Sequence, residues 1–107
     1  LPIYALELLL TGKRIDAGRA REMGFVNEVV PAGKALARAM EVAETICTNG
    51  PGAVRMSKEL FYRGMTLSKK EAFALTWKRY AENETTQDAK EGVRAFTERR
   101  HPVFKNK

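Results

Sequence analysis

Breaks come at short intervals along this chain, and they decide what it can build. Thr11-Gly12, Gly24, Pro31, Asn49-Gly50-Pro51-Gly52, Gly64 and His101-Pro102 interrupt segments in which apolar residues recur every three or four positions. Glycine favours turn and left-handed conformations, and proline lacks the amide that a helix interior requires, so each break is a stop. The reading is helix after helix: a mainly α chain of four to five helices with one short extended segment. With 107 residues, no internal repeat and no long linker, composition and length allow one domain.

The local signals fill in this outline. Leu1 to Leu10 opens in the middle of an apolar helical pattern, without methionine, basic leader or small-residue cleavage site, as expected of a piece of a longer chain. Asp16 is placed to cap a helix over Ala17–Met23, and Gly24 to end it in the left-handed conformation. Phe25–Val30 is rich in β-branched residues and stops at Pro31, so it reads as a short strand or extended link. Leu36, Ala39, Met40, Ala43 and Ile46 give the next helix one apolar face. Pro51 suits the first position of a helix that carries Val54, Leu60 and Phe61 and ends near Gly64. Ser68-Lys69-Lys70-Glu71 is a capping box, in which each side chain satisfies a free amide of the other. Behind it, Phe73, Thr76, Trp77 and Tyr80 share a face. Asp88-Ala89-Lys90-Glu91 offers a second cap pattern, and Val93, Phe96 and Arg100 follow it in line. Several apolar faces must therefore find partners within this chain or outside it.

Composition removes several classes of function. No apolar run reaches the roughly 20 residues of a membrane-spanning helix. One cysteine, Cys47, excludes an internal disulfide framework and fits a reducing compartment. Beside Ile46 on a helical face, it reads as a small core residue. Cys47 and His101 lack the spacing of metal ligands, and a single histidine cannot complete more than one catalytic triad, for which no nucleophile turn is present. His101, next to a proline at a helix end, is expected to face solvent or cap carbonyls. Neither glycine pattern of a nucleotide-phosphate loop occurs. Ala20, Gly24 and Val30 have spacings resembling a helix-turn-helix core, but Pro31 would fall inside the recognition helix, so nucleic acid is not the expected partner.

The charge is uneven. Residues 89–107 carry six basic and two acidic groups, which is +4 of the net +6. Such a cluster fits an anionic partner, and it equally fits a solvated helix end, where cations favour the negative pole of the dipole. If Asp88 is the cap, Phe96 and Arg99 are three apart and neighbours on one helix face. An aromatic ring can stack on a base, and a guanidinium beside it can pair a phosphate bidentately. Alternatively, Phe96 packs in a core and the arginines are solvated.

Together these pieces resemble the enoyl-CoA hydratase/isomerase (crotonase) family. The stretch from Glu7-Leu8-Leu9-Leu10-Thr11-Gly12 through Ala17, then Gly24-Phe25-Val26-Asn27 to Pro31, is similar to the family's segment after its catalytic residues, with Phe25 where leucine is usual. Pro51 through Lys58 resembles the next family helix. Asp88, Glu91-Gly92, Ala95-Phe96, Glu98-Arg99-Arg100, Pro102 and Phe104 resemble its closing signature, with Arg99 in place of the more usual lysine. The resemblance covers essentially the whole chain but only the C-terminal part of the family's pattern.

The resemblance implies a division into residues 1–31, the end of the crotonase core (helix, loop, helix, short strand), and residues 32–107, a C-terminal helical oligomerisation region of an α/β fold. It implies an acyl-CoA substrate, with coenzyme A as part of the substrate and no prosthetic group. The expected reaction of the parent is enoyl-CoA hydration, with isomerisation or another crotonase reaction as the alternative within the family. Two backbone amides stabilise the enolate and two glutamates act as acid and base in such hydratases, and all of them precede this segment. No catalytic residue is expected here, and Glu91 is read as a helix-capping acid. Phe96 is expected to flank the adenine and Arg99 to contact the CoA phosphates. A homo-trimer or a dimer of trimers is the expected assembly, with no membrane partner. A cytoplasmic location is the default and the mitochondrial matrix the alternative. The contrasting reading is a non-catalytic helical assembly module, whose Phe61, Phe73 and Trp77 faces would be its main function.

Overall fold

The computed structural model describes residues 2–107, so Leu1 lies outside the described residues. Six α-helices follow one another: α1 (Pro2–Thr11), α2 (Ala17–Glu22), α3 (Ala35–Cys47), α4 (Pro51–Gly64), α5 (Lys69–Glu84) and α6 (Gln87–Thr97). The opening apolar segment is a full helix, which raises the count above the four to five read from the sequence. No β-strand occurs among the described residues. No helix among them is long and apolar enough to cross a membrane. The chain divides into two compact units, one up to Met40 and one from Glu41 onwards, with the division inside α3.

In the first unit the stops act as their chemistry dictates. Gly12 follows α1 with φ +63°, and Gly12 N–H closes on Leu8 O at 2.9 Å. Asp16 caps α2, its Oδ1 accepting from Arg19 N at 2.7 Å. The helix ends at Glu22, one residue earlier than expected, with Met23 as the C-cap. Gly24 then takes φ +78°, and Phe25 N–H reaches back to Ala20 O at 2.9 Å, the wrap of a left-handed helix stop. Met23, 5% exposed, is the unit's buried apolar side chain.

Phe25–Val30 forms no strand. A strand needs a second strand to satisfy its amides, and the described residues supply none. The segment is instead a link, tied by Glu28, whose two carboxylate oxygens accept from Arg38 Nε at 3.1 and 2.9 Å. It leads into a turn closed by Lys34 N–H to Pro31 O, in which Gly33 supplies φ +79°.

In the second unit α4 packs on α5 and α5 on α6. Pro51 is the first residue of α4, where its missing amide costs nothing. The capping box of α5 is complete: Glu71 N donates to Ser68 Oγ at 3.3 Å, and Ser68 N donates to Glu71 Oε2 at 2.9 Å. Across the α4–α5 contact, Arg79 donates to the Glu59 carboxylate, which also accepts from Arg63 at 2.9 Å. Arg79 first, then Arg63, holds the Glu59 carboxyl below its ordinary range.

Little of this surface is buried within the chain. Ala95, 1% exposed, is the buried apolar residue of the second unit. Phe61, Phe73, Trp77 and Tyr80 are exposed, with the Trp77 and Tyr80 rings edge to face at 6.0 Å. Leu36, Met40 and Ile46 on α3 are exposed as well. Cys47, read as a core residue, is also exposed: with Ile46 it lines an open cleft against Pro51 and Val54 of α4 and Phe104, which does not cover it.

Candidate functional site

The site is built on α6 and the tail that folds back along it. Its helix begins two residues earlier than the cap pattern at Asp88 suggested. Thr86 is the N-cap, and its Oγ1 accepts from Ala89 N at 3.1 Å. Asp88 is therefore inside the first turn, and its carboxylate has another use. Oδ1 accepts from Lys105 N at 2.7 Å and Oδ2 from Asn106 N at 2.8 Å, while Asp88 N donates to Lys107 O at 3.0 Å. Asp88 is 8% exposed, so these amides replace the hydration it lost on burial. A carboxylate beside a helix N-terminus is also favoured by the dipole.

The tail is held at further points. Arg55 Nη2 donates to Asn106 Oδ1 at 2.6 Å, joining it to α4. The Phe104 ring lies against Gly50 and Gly92, in ordinary contact at 3.6 and 3.9 Å from where a side-chain carbon would stand. It lines a cleft of about 290 Å³ shared with Gly50, Arg55, Asn83, Thr86 and Gly92. Neither Phe96 nor Arg99 lines this cleft.

At the other end, α6 stops at Thr97, before the His101-Pro102 break. Arg99 N closes on Phe96 O at 3.2 Å and Arg100 N on Ala95 O at 3.0 Å. This is a Schellman stop, whose left-handed position is usually glycine. Here it is Arg99, at φ +53°. Phe96 and Arg99 are thus not neighbours on a helix face. Phe96 is in the last turn and Arg99 is in the stop beyond it, with its backbone bonded to the Phe96 carbonyl. Phe96 is 86% exposed, so it has no place in a core of this chain. Arg99 is exposed and forms no ion pair among the described residues.

Arg100 behaves differently. Its Nη1 and Nη2 donate to Glu91 Oε1 and Oε2 at 2.5 and 3.0 Å, its Nε donates to Glu98 Oε2 at 2.6 Å, and Nη1 also reaches His101 O at 3.1 Å. Glu91 Oε1 accepts Val103 N at 2.9 Å as well. Glu91 is therefore not a helix cap, since a residue more than a turn inside the helix faces a satisfied backbone; it is the acceptor that folds the tail back. The Arg100 guanidinium first, then the Val103 amide, lowers the Glu91 carboxyl to about 2. Glu91 and Glu98 together raise Arg100 above its ordinary range.

The C-terminal end of α6 is the negative pole of its dipole, so attraction for an anion must come from side chains. Arg100 is neutralised by two carboxylates, whereas Arg99, in the stop that follows the exposed Phe96, forms no ion pair among the described residues. No three of His, Cys, Asp and Glu cluster as metal ligands among the described residues. Sequence reading missed the roles of Asp88, Arg55 and Glu91. Asp88 and Glu91 stand three apart on one helix face, and that spacing beside a chain-terminal run of amides was the available signal.

The architecture is that of an α-helical segment with solved counterparts. It superimposes on the enoyl-CoA hydratase of Mycobacterium tuberculosis with TM-score 0.93 and 40% identity, over 98% of this chain and 42% of that one. For the enoyl-CoA hydratase of Bacillus anthracis the TM-score is 0.92 at 38% identity, over 97% and 40%. Among curated sequences, the chain is 42% identical over 103 residues to the enoyl-CoA hydratase EchA19 of Mycobacterium tuberculosis, spanning 96% of this chain and 39% of that protein. It is 39% identical over 107 residues to the mitochondrial enoyl-CoA hydratase domain-containing protein 2 of Mus musculus, spanning 96% and 36%. The profile of the enoyl-CoA hydratase/isomerase family matches residues 3–107. The chain belongs to the enoyl-CoA hydratase/isomerase family. It spans about two fifths of the length of these relatives.

Proposed function

We propose that this chain is the C-terminal helical part of an acyl-CoA-processing enzyme, that the parent reaction is hydration of a 2-enoyl-CoA, and that the end of α6 supplies part of the CoA pocket. The observation that carries the reading is that the exposed Phe96 is followed, in the backbone stop that ends α6, by an exposed Arg99 that forms no ion pair among the described residues. Phe96 offers a stacking face to the adenine, and Arg99 a bidentate fork to a CoA phosphate. A guanidinium in place of the usual lysine keeps the charge and changes the contact from a point charge to a planar fork. The enolate-stabilising amides and the acid–base glutamates belong to the preceding part of the parent, so this chain binds and does not catalyse.

The apolar faces carry the second contribution. Leu36, Met40 and Ile46 on α3, and Phe73, Trp77 and Tyr80 on α5, are exposed at positions where a folded chain gains by burial. They suit contacts with the rest of the parent and between subunits of a trimer or a dimer of trimers.

The test uses the full-length natural protein and a 2-enoyl-CoA. Hydration removes the absorbance of the conjugated thioester, whereas a shift of the double bond without uptake of water assigns an isomerase. Arg99→Ala raises KM for the acyl-CoA about tenfold with kcat retained, because the phosphates are remote from the reacting carbons. An unchanged KM contradicts the CoA contact.

A further inference from the structure

We propose that Glu91 is a positioning residue for ligand recognition, acting through Arg100 to hold Arg99 in its left-handed stop with its guanidinium directed away from internal partners. The inference rests on the reading of Arg99 as the CoA contact and goes beyond it, since neither Glu91 nor Arg100 touches the ligand in that reading.

The geometry points to this division of labour between two adjacent arginines. Arginine is an unfavourable occupant of the left-handed position, where a side-chain carbon crowds the following carbonyl. Arg99 takes that position at φ +53° because the residues around it are fastened on both sides. Before it, Glu98 N is bonded to Arg94 O at 2.9 Å within the helical pattern. After it, Arg100 returns nine positions to Glu91 through two parallel N–H···O bonds, and Val103 N joins the same carboxylate at 2.9 Å. A paired fork of this kind fixes direction as well as distance. The Glu91 side chain is 17% exposed against 37% for Arg100, so the pair is sheltered more on the carboxylate side.

Charge follows the same logic. Glu91 and Glu98 are the acidic groups of this end, and Arg100 occupies both. Were Arg100 absent, either carboxylate could draw in Arg99 and cancel the cation that an anionic ligand requires. Arg100 thus does two things at once: it closes the loop and it keeps its neighbour free.

A double-mutant cycle in the full-length protein, read as KM and kcat for the acyl-CoA, tests the proposal. Glu91→Gln keeps the shape of the side chain while removing its charge, and it raises KM about five-fold with kcat within about twofold. In the Arg99→Ala background the same substitution leaves KM within about twofold of the single variant. Arg100→Lys, which retains the charge without the fork, repeats this pattern and guards against a folding defect particular to Glu91→Gln. An equal rise of KM in both backgrounds overturns the proposal, because it marks a general effect not routed through Arg99. So does a KM that Glu91→Gln leaves unchanged in the wild-type background, or a fall in kcat accompanying the rise. If Arg99→Ala alone leaves KM unchanged, the CoA contact itself fails and the proposal falls with it; if Arg99→Ala raises KM and Glu91→Gln does not, only the positioning role fails.

Discussion

Glu91 grips Arg100 with both carboxylate oxygens, at 2.5 and 3.0 Å across nine positions of sequence, and turns the chain back along the helix it has just left. The tail beyond Thr97 is held at its near end by this pair and at its far end by Asp88 and Arg55.

The first prediction concerns pH. The Arg100 guanidinium, then the Val103 amide, lowers the Glu91 carboxyl from 4.5 to about 2, with Arg94 contributing at longer range and Glu98 sharing Arg100. A depressed carboxyl binds its proton more weakly in the folded state than in the unfolded one. Its stabilising contribution is therefore complete above the ordinary value of 4.5 and is lost as pH falls from there through about 2. Carbon-detected NMR of the Glu91 carboxyl in the full-length protein is expected to show a midpoint near 2, with the Val103 amide shifting in step. A midpoint near 4.5 would show that the pair does not persist in solution.

The second prediction separates stability from binding at Arg99. Glycine occupies a left-handed stop without the crowding that arginine suffers, so Arg99→Gly stabilises the fold by about 1 kcal/mol. The same substitution removes the guanidinium and raises KM for the acyl-CoA. Thermal unfolding and steady-state kinetics on one preparation read both effects. A loss of stability would mean that the Arg99 side chain supports the fold.

A third prediction concerns the tail. Asp88 accepts two amides through its two oxygens, and an asparagine side chain at that position offers only one oxygen to the same pair. Asp88→Asn therefore costs about 1.5–3 kcal/mol of unfolding stability, the range for a hydrogen bond to a charged group. Thr86→Ala, at the true N-cap of α6, costs about 1 kcal/mol. Chemical denaturation in the full-length protein ranks the two, and a greater loss at Thr86 would contradict the role assigned to Asp88. Hydrogen exchange localises the Asp88→Asn effect to Lys105 and Asn106.

What could be read from the sequence was what is encoded within a few residues. The Ser68–Glu71 box, the Asp16 cap and the Gly24 stop each depend on neighbours three to five positions apart, and all three appear as expected. The end of α6 did not, because its left-handed position carries arginine where glycine would have signalled the stop. Thr86 and Asp88 are both good cap residues two places apart, and the choice between them is made by a tail 17 residues downstream of Asp88. Phe25–Val30 has strand composition, but a strand is a pairing, and pairing depends on what else is present to pair with. The helical faces were legible, whereas burial was not. Cys47, Trp77 and Phe96 are apolar at helical spacing and exposed all the same, because spacing orients a face and only a partner buries it.

The end of α6 is proposed to bind coenzyme A through Phe96 and Arg99, and the positioning role of Glu91 rests on that contact. Isothermal titration of CoA into the full-length protein and into its Phe96→Ala, Arg99→Ala double variant tests it most directly. Both side chains are exposed, so the variant retains its fold, which circular dichroism checks. The expected result is CoA binding by the wild-type protein and an affinity at least about tenfold weaker in the double variant, from the loss of one stacking face and one charge-assisted contact. Equal affinity in the two proteins would contradict it.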